Sequence, residues 1–249
     1  MRIMAVGAHA FDAEVLGGAL IAKAVQDGGE GLLVHMTLGE RGRPDKEPAA
    51  YAEQLKGELQ AAARVLGCEA LWMGYPAGEI PVSQGIAAAL ARVMRQFRPD
   101  LVVSHWRGSW HPRHVSTYHN VLQGVALAAD PTALCVGIPH RVSQVLFGEN
   151  CEDLHGFDPW LYVDISKVLE QWTAALACYE LYRRSVPGAG PPDYERTGIP
   201  YATYYRAMPR VRGLEAGVPF AQAFMACKRA TDSVAGLETI LADSRLILS

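Results

Sequence analysis

The chain has 249 residues, 50% of them hydrophobic and 20% charged, with a formal net charge of −3. That balance describes an ordinary globular protein and excludes a disordered or fibrous chain, and its slight acidity leaves no electrostatic footprint for a nucleic-acid backbone or an anionic membrane surface. The five cysteines, Cys68, Cys135, Cys151, Cys178 and Cys227, are scattered without a C-x-x-C pair, so neither a disulfide framework nor a thiolate metal site is indicated.

Residues 2–8 form a short apolar run ending near Gly7, the pattern of a buried first strand in a parallel sheet. A helix follows, with Asp12 as its expected N-cap and Val15, Leu16, Leu20, Ile21 and Ala24 at helical spacing until Gly28 and Gly29 stop it. A second strand is expected over 31–38, a polar loop over 39–48, and a helix over 50–66 that ends at Gly67. A strand over 70–73, a helix over 82–96 and a strand over 101–104 continue the alternation. This β-α-β-α order predicts a mostly parallel sheet covered by helices on both faces, a Rossmann-like three-layer α/β/α fold. In such folds ligands gather beyond the carboxyl ends of the strands.

From residue 141 the pattern loosens. Strands are expected over 142–146 and 161–163, a helix over 166–183, a proline- and glycine-rich loop over 187–200 lying over the site, and a helix over 219–229. The length suits one compact domain over 1–249, with a core in 1–140 and additional strands, a loop and helices completing it in 141–249. No stretch reaches about 18 consecutive apolar residues, and the first residues lack the apolar run of a signal peptide, so a cytoplasmic protein is expected.

Two clusters carry chemistry. His9 and Asp12 lie three residues apart on the first strand-to-helix turn, and His111-Pro112-Arg113-His114 follows the fourth strand. Zinc accepts imidazole nitrogen and carboxylate oxygen, and a catalytic site uses three protein ligands with one position left open. Each residue also has a plainer reading. Asp12 could only cap its helix, and His105 and His119 nearby could make the local abundance of histidine incidental.

The segment His9-Ala10-Phe11-Asp12-Ala13-Glu14, followed by Gly17-Gly18, resembles the His-Pro-Asp-Asp-x-Glu signature of the PIG-L/LmbE-like N-deacetylases. Thr37-Leu38-Gly39-Glu40-Arg41-Gly42 is similar to that family's Thr-x-Gly-Glu-x-Gly loop, Lys56-Gly57-Glu58 to its Arg-x-x-Glu helix, and His111-Pro112-Arg113-His114 to its His-Pro-Asp-His motif. The segment 217–224 resembles its Tyr-Ala-Glu-Ala-Phe stretch. The resemblance implies an LmbE-like fold and a single Zn²⁺ ion, or another divalent metal, held by His9, Asp12 and His114. It also implies a hydrolase that removes an N-acetyl or other acyl group from an amino sugar of the N-acetylglucosamine type, or its glycoside, through a metal-bound water. His111 then takes the place of the histidine that stabilises the tetrahedral oxyanion. Glu40, Arg43 and Lys56 are expected to meet the substrate. Association into a homo-oligomer is in keeping with the family.

The sequence departs from the family pattern where carboxylates are expected. Phe11 stands where the family carries its general base, Ala77 where relatives have Asp, and Arg113 where they have the Asp of His-Pro-Asp-His. A positioned base typically contributes about 10²–10⁴-fold. His111 could serve as base and acid together, Glu14, Glu40 or Glu79 could reach the water, or the chain could bind metal and sugar with weak or no turnover. Arg113 could hold an anionic group. Trp106, Trp110 and Tyr118 could stack on a sugar ring or belong to the core. A nucleotide-binding reading fails because no G-x-G-x-x-G follows the first strand.

Overall fold

The computed structural model of the protein describes residues 1–78, 80–153, 155–185 and 200–227, with the short strand Ile247–Leu248. Strand β1 (Arg2–Gly7) is followed by α1 (Asp12–Gln26), β2 (Glu30–His35), α2 (Pro48–Leu66), β3 (Glu69–Trp72), α3 (Gln84–Phe97), β4 (Leu101–His105) and α4 (Pro112–Ala129). Then come β5 (Gln144–Gly148), β6 (Leu161–Asp164), α5 (Leu169–Leu176), α6 (Glu180–Arg184), α7 (Tyr201–Ala216), β7 (Ala221–Ala226) and β8 (Ile247–Leu248). The strands form one sheet in the order β3-β2-β1-β4-β5-β7-β6-β8. The pairs from β3 through β5 are parallel, and β7 and its neighbours are antiparallel.

The apolar run of β1 is continuous because both its faces are covered. Ile3 and Ala5 enter one core with α1, α2 and α5, while Met4 and Val6 enter the other with α3 and α4. Strand periodicity alone distributes these side chains, since successive Cβ atoms point to opposite faces. Strand β1 lies between β2 and β4, so the chain leaves it to one side and returns on the other. The crevice at that reversal, beyond the carboxyl ends of β1 and β4, is where the sequence placed its histidines.

Helix boundaries follow local chemistry. Glu47 caps α2 by accepting from the Ala50 N–H, Pro48 occupies the first turn, and Gly67 ends the helix in the left-handed conformation at φ 74°. Ser83 caps α3 through the Ile86 N–H. Among the described residues no helix is long and apolar enough to cross a membrane.

Several expectations are corrected. The helix expected over 219–229 is the strand β7, and residues 228–229 lie outside the described residues. Ala, Gln and Met are good helix formers, but this segment pairs on both edges, with β5 and with β6, and the buried Gln222 donates Nε2–H to the Val15 carbonyl at 2.7 Å. Tertiary pairing overrides propensity here. The helix expected over 166–183 is two helices, α5 and α6, broken at 177–179. Helices α4 and α7 have no counterpart in the sequence reading. The loop expected over 187–200 lies, except for Pro200, outside the described residues.

Gly7 is required by space. A Cβ at that position would stand 2.5 Å from the Ala13 nitrogen and 2.6 Å from the Asp12 Cβ, closer than atoms tolerate. Gly7→Ala should therefore lower stability by about 1–3 kcal/mol, the usual cost of overpacking, as read from the urea midpoint. An unchanged midpoint would show that the turn can shift without cost.

Candidate metal centre

The turn from β1 into α1 builds the first half of the site. Phe11 sits at φ 87°, a left-handed conformation that a bulky residue adopts only when its surroundings demand it. It is Phe11, not Asp12, that occupies the N-cap position, and no side chain caps the helix there. Asp12 is freed for another task. Its Oδ2 accepts the His9 backbone N–H at 2.8 Å and lies 3.1 Å from His9 Nδ1.

Helix α4 brings the second half. His111 is its N-cap, with Nδ1 accepting the Arg113 N–H at 3.3 Å, Pro112 starts the helix, and His114 lies in the first turn. His114 Nε2 stands 3.4 Å from Asp12 Oδ2, while its Nδ1 meets Ser109 Oγ at 3.2 Å and Glu152 Oε2 at 3.3 Å. The His111 ring stacks on His114 with centroids 4.5 Å apart and meets the His9 ring edge-on at 4.9 Å. One ligand atom from each of His9, Asp12 and His114 lies within 4.8 Å of the others.

The charges within this cluster are set by burial and proximity. Burial opposes ionisation of Asp12, yet His114, His105 and His9 hold its carboxyl well below the usual range. Burial likewise opposes the His114 imidazolium, which Asp12 and Glu152 raise again. His105 is different. Burial, with His114 beside it, lowers it to about 3, and its Nε2 accepts the Ala8 N–H at 3.0 Å, so it is a neutral ring that fixes the start of the turn. Burial together with His114 and His9 lowers His111 to about 4. Because His111 Nδ1 accepts a backbone N–H, its proton resides on Nε2, and the ring is a donor.

A cation suits this donor set. Two imidazole nitrogens and one carboxylate oxygen converge, and the 3.1 and 3.4 Å separations from Asp12 Oδ2 approach the edge of a tetrahedron whose bonds are about 2.0–2.1 Å. Glu152 beside His114 Nδ1 supplies the carboxylate partner that commonly orients a ligating histidine, the part Arg113 cannot take.

The cluster opens into a cavity of about 430 Å³, within the range of small-molecule sites. Besides His9, Asp12, His111 and His114, the lining includes Arg41, Arg43, Arg113, Asn150 and Glu152 on its polar parts. Of the expected substrate contacts, Arg43 lines the cavity, but its guanidinium is tied to Asp45 through two hydrogen bonds of 3.0 and 2.9 Å. Glu40 does not line it; Oε1 accepts the Ala77 N–H and so braces two loops. Lys56 is remote from it, since Nζ pairs with Glu53 at 2.6 Å and lies over the Trp72 ring. Helical geometry turns Lys56 to the outer face of α2, whose inner face carries Tyr51, Leu55 and Leu59.

The other sequence candidates are placed as plainly. Glu14 points away into the core, where the Tyr179 hydroxyl donates to Oε1 at 2.6 Å and His35 Nε2 lies 3.4 Å away. Glu79 lies outside the described residues. Trp106 is buried against Tyr118 and Phe147, and neither it nor Trp110 lines the cavity. His119 is exposed on α4 beside Tyr118. Sequence reasoning missed Ser109, beside His111 and His114 on the same segment, and Glu152, Asn150, Tyr51, Tyr179, Tyr201 and Tyr205, which come from distant segments with no local motif.

His35 braces the turn from beneath, donating Nδ1–H to the His9 carbonyl at 3.2 Å. Burial pulls this imidazolium down, but Glu14 more than offsets it and the net shift is upward. A raised folded-state value means that the His35 contribution is complete below the unfolded histidine value of about 6.5 and fades as pH rises through the folded value. The urea-midpoint difference between the native protein and His35→Gln should accordingly shrink from pH 6 to pH 9; a difference that grows would reverse the assignment.

The family model for PIG-L, GlcNAc-PI de-N-acetylase, matches residues 4–125. A 1D-myo-inositol 2-acetamido-2-deoxy-alpha-D-glucopyranoside deacetylase of Geodermatophilus obscurus is 33% identical over 162 residues, 52% of this chain and 54% of that protein. A mycothiol S-conjugate amidase of Streptomyces coelicolor is 31% identical over 156 residues, 52% of this chain and 53% of that protein. The chain thus spans about half the length of these curated relatives. The crystal structure of the conserved protein TT1542 from Thermus thermophilus is 25% identical, with a TM-score of 0.77 over 94% of this chain and 96% of that one. The matched segment, just under half of the chain, holds both halves of the histidine–carboxylate cluster on a shared sheet, and over it the chain is similar to the PIG-L family.

Proposed function

We propose that this protein is a zinc-dependent hydrolase that removes an N-acyl group from an amino sugar or its glycoside, with the ion held by His9, Asp12 and His114. The observation that carries the reading is the convergence of these three ligands at the wall of a cavity of about 430 Å³, with a neutral imidazole and a second carboxylate beside them. The match to the family model over residues 4–125 and relatives named as a deacetylase and an amidase support the same class of bond. The chemistry such an ion supplies is polarisation of a carbonyl and acidification of a water.

The chain's own residues divide the remaining work. His111 presents Nε2–H and donates to the oxygen on which negative charge develops as the carbonyl becomes tetrahedral. Phe11 cannot accept a proton. Glu152 is the carboxylate that, besides Asp12, lines the cavity among the described residues, and its buried Oε2 lies 3.3 Å from His114 Nδ1. Burial raises its affinity for a proton, with His114 opposing. We assign to Glu152 the role of accepting the proton of the attacking water and passing it to the leaving nitrogen. That assignment supports turnover over a binding role alone. The five cysteines are free thiols, which supports a reducing, cytoplasmic setting.

Metal analysis and amine release from N-acetylglucosamine test the proposal together. Asp12→Ala should lose both the zinc and the activity, and hydrolysis by a metal-free variant would overturn the reading. Glu152→Gln should retain zinc while kcat falls by roughly 10²–10⁴-fold, the usual contribution of a positioned base. Undiminished kcat would remove Glu152 from that role.

A further inference from the structure

The wall of the cavity beside the ligands is hydrocarbon. Phe11 stands between the ligands His9 and Asp12 in sequence, and its ring is held by Tyr179 at 5.4 Å, Tyr201 at 5.7 Å and Tyr205 at 6.0 Å between centroids. Tyr51, Leu55 and Leu181 extend the same wall. The polar ends of two of the tyrosines are already engaged, with Tyr179 donating to Glu14 and Tyr205 to Asn150. Tyr179 and Tyr205 are each only 1% exposed and back the wall, while the half-buried Tyr201 and Leu181 give it accessible apolar surface. A sugar ring with its hydroxyls finds few partners on such a wall, and an acetyl methyl covers little of it.

We propose that this wall is an acyl site, and that the substrates of the enzyme are amides whose acyl group is a larger apolar one, of about four to eight carbons or an aryl ring. The inference rests on the hydrolase reading and names its substrate class. Water adds to the amide carbonyl carbon, the C–N bond breaks, the nitrogen takes the proton that the water gave up, and the apolar carboxylic acid and the free amine leave. Arg41 and Arg113 line the same cavity and are the cationic groups we assign to the amine-bearing half. Removal of apolar surface from water drives the preference, and each buried methylene is worth roughly fourfold in affinity.

The test compares N-acetyl- and N-hexanoylglucosamine as substrates for the zinc-loaded protein, and acetate with hexanoate as ligands for protein with and without zinc, by calorimetry. The hexanoyl amide is expected to show kcat/KM at least about tenfold higher, and hexanoate to bind at least about tenfold more tightly in both forms, given the per-methylene gain. Leu181→Asp, on a half-buried position, should collapse both ratios. Tighter hexanoate binding without hydrolysis of either amide would uphold the acyl site and defeat the hydrolase reading. Equal binding of the two acids, or faster turnover of an N-acetyl amide with a hexyl group on the amine side, would overturn the acyl site and leave hydrolysis standing.

Discussion

The four-residue turn between β1 and α1 is the constraint on which the rest of the site depends. Gly7 has no room for a side chain, Phe11 is held at φ 87°, and the Asp12 carboxylate bonds back to the His9 N–H at 2.8 Å. A non-glycine residue in that conformation costs on the order of 1–3 kcal/mol. The ring cluster around Phe11 offsets the cost, because a fully buried aromatic side chain contributes about as much through burial. The backbone strain and the packing of the aromatic wall are therefore one arrangement, and His9 and Asp12 are oriented by it.

The sheet order turns that local arrangement into a site. Because β4 pairs beside β1, the loop after β4 and the start of α4 arrive over the β1 turn, and His111 and His114 meet His9 and Asp12 there. His105, neutral and bonded to the Ala8 N–H, ties the two strand ends together. Asp12 is held as a carboxylate by three histidines around it. Protons and a divalent cation compete for the same atoms in such a cluster, so ligand geometry and charge are linked.

The exchange of a carboxylate for Phe11 changes more than one function of the turn. It places apolar surface beside the proposed ligands, and the carboxylate to which we assign the proton transfer, Glu152, reaches the cavity from the segment after β5 beside His114 Nδ1. Acid–base chemistry and acyl recognition can thus be redistributed around an unchanged set of ligand residues. The fold tolerates this because the ligands hang on strand ends and helix starts, whereas their surroundings come from loops.

Much of this was legible in the sequence. The alternation of apolar runs with helical spacing dictated the parallel sheet as far as β4, since period 2 and period 3.6 patterns are local. The spacing of His9 and Asp12, and of His111 and His114, only suggested a metal site, and the resemblance of both segments to family motifs is what singled out His9, Asp12 and His114. Lys56 and Glu40 do not line the cavity, Lys56 because helical geometry turns it to the outer face of α2 and Glu40 because it accepts the Ala77 N–H across two loops. The segment 221–226 became a strand only because β5 and β6 offered it two edges, and Asp12 escaped its capping role only because Phe11 found four tyrosine rings to pack against. Glu152 and the aromatic wall had no local signature at all. Local patterning along the chain was enough to dictate the periodic elements as far as β4, and motif resemblance supplied the ligand residues. Which distant side chains share one cavity was left to the packed fold, because contact between residues more than a hundred positions apart is governed by strand order and packing rather than by neighbours along the chain.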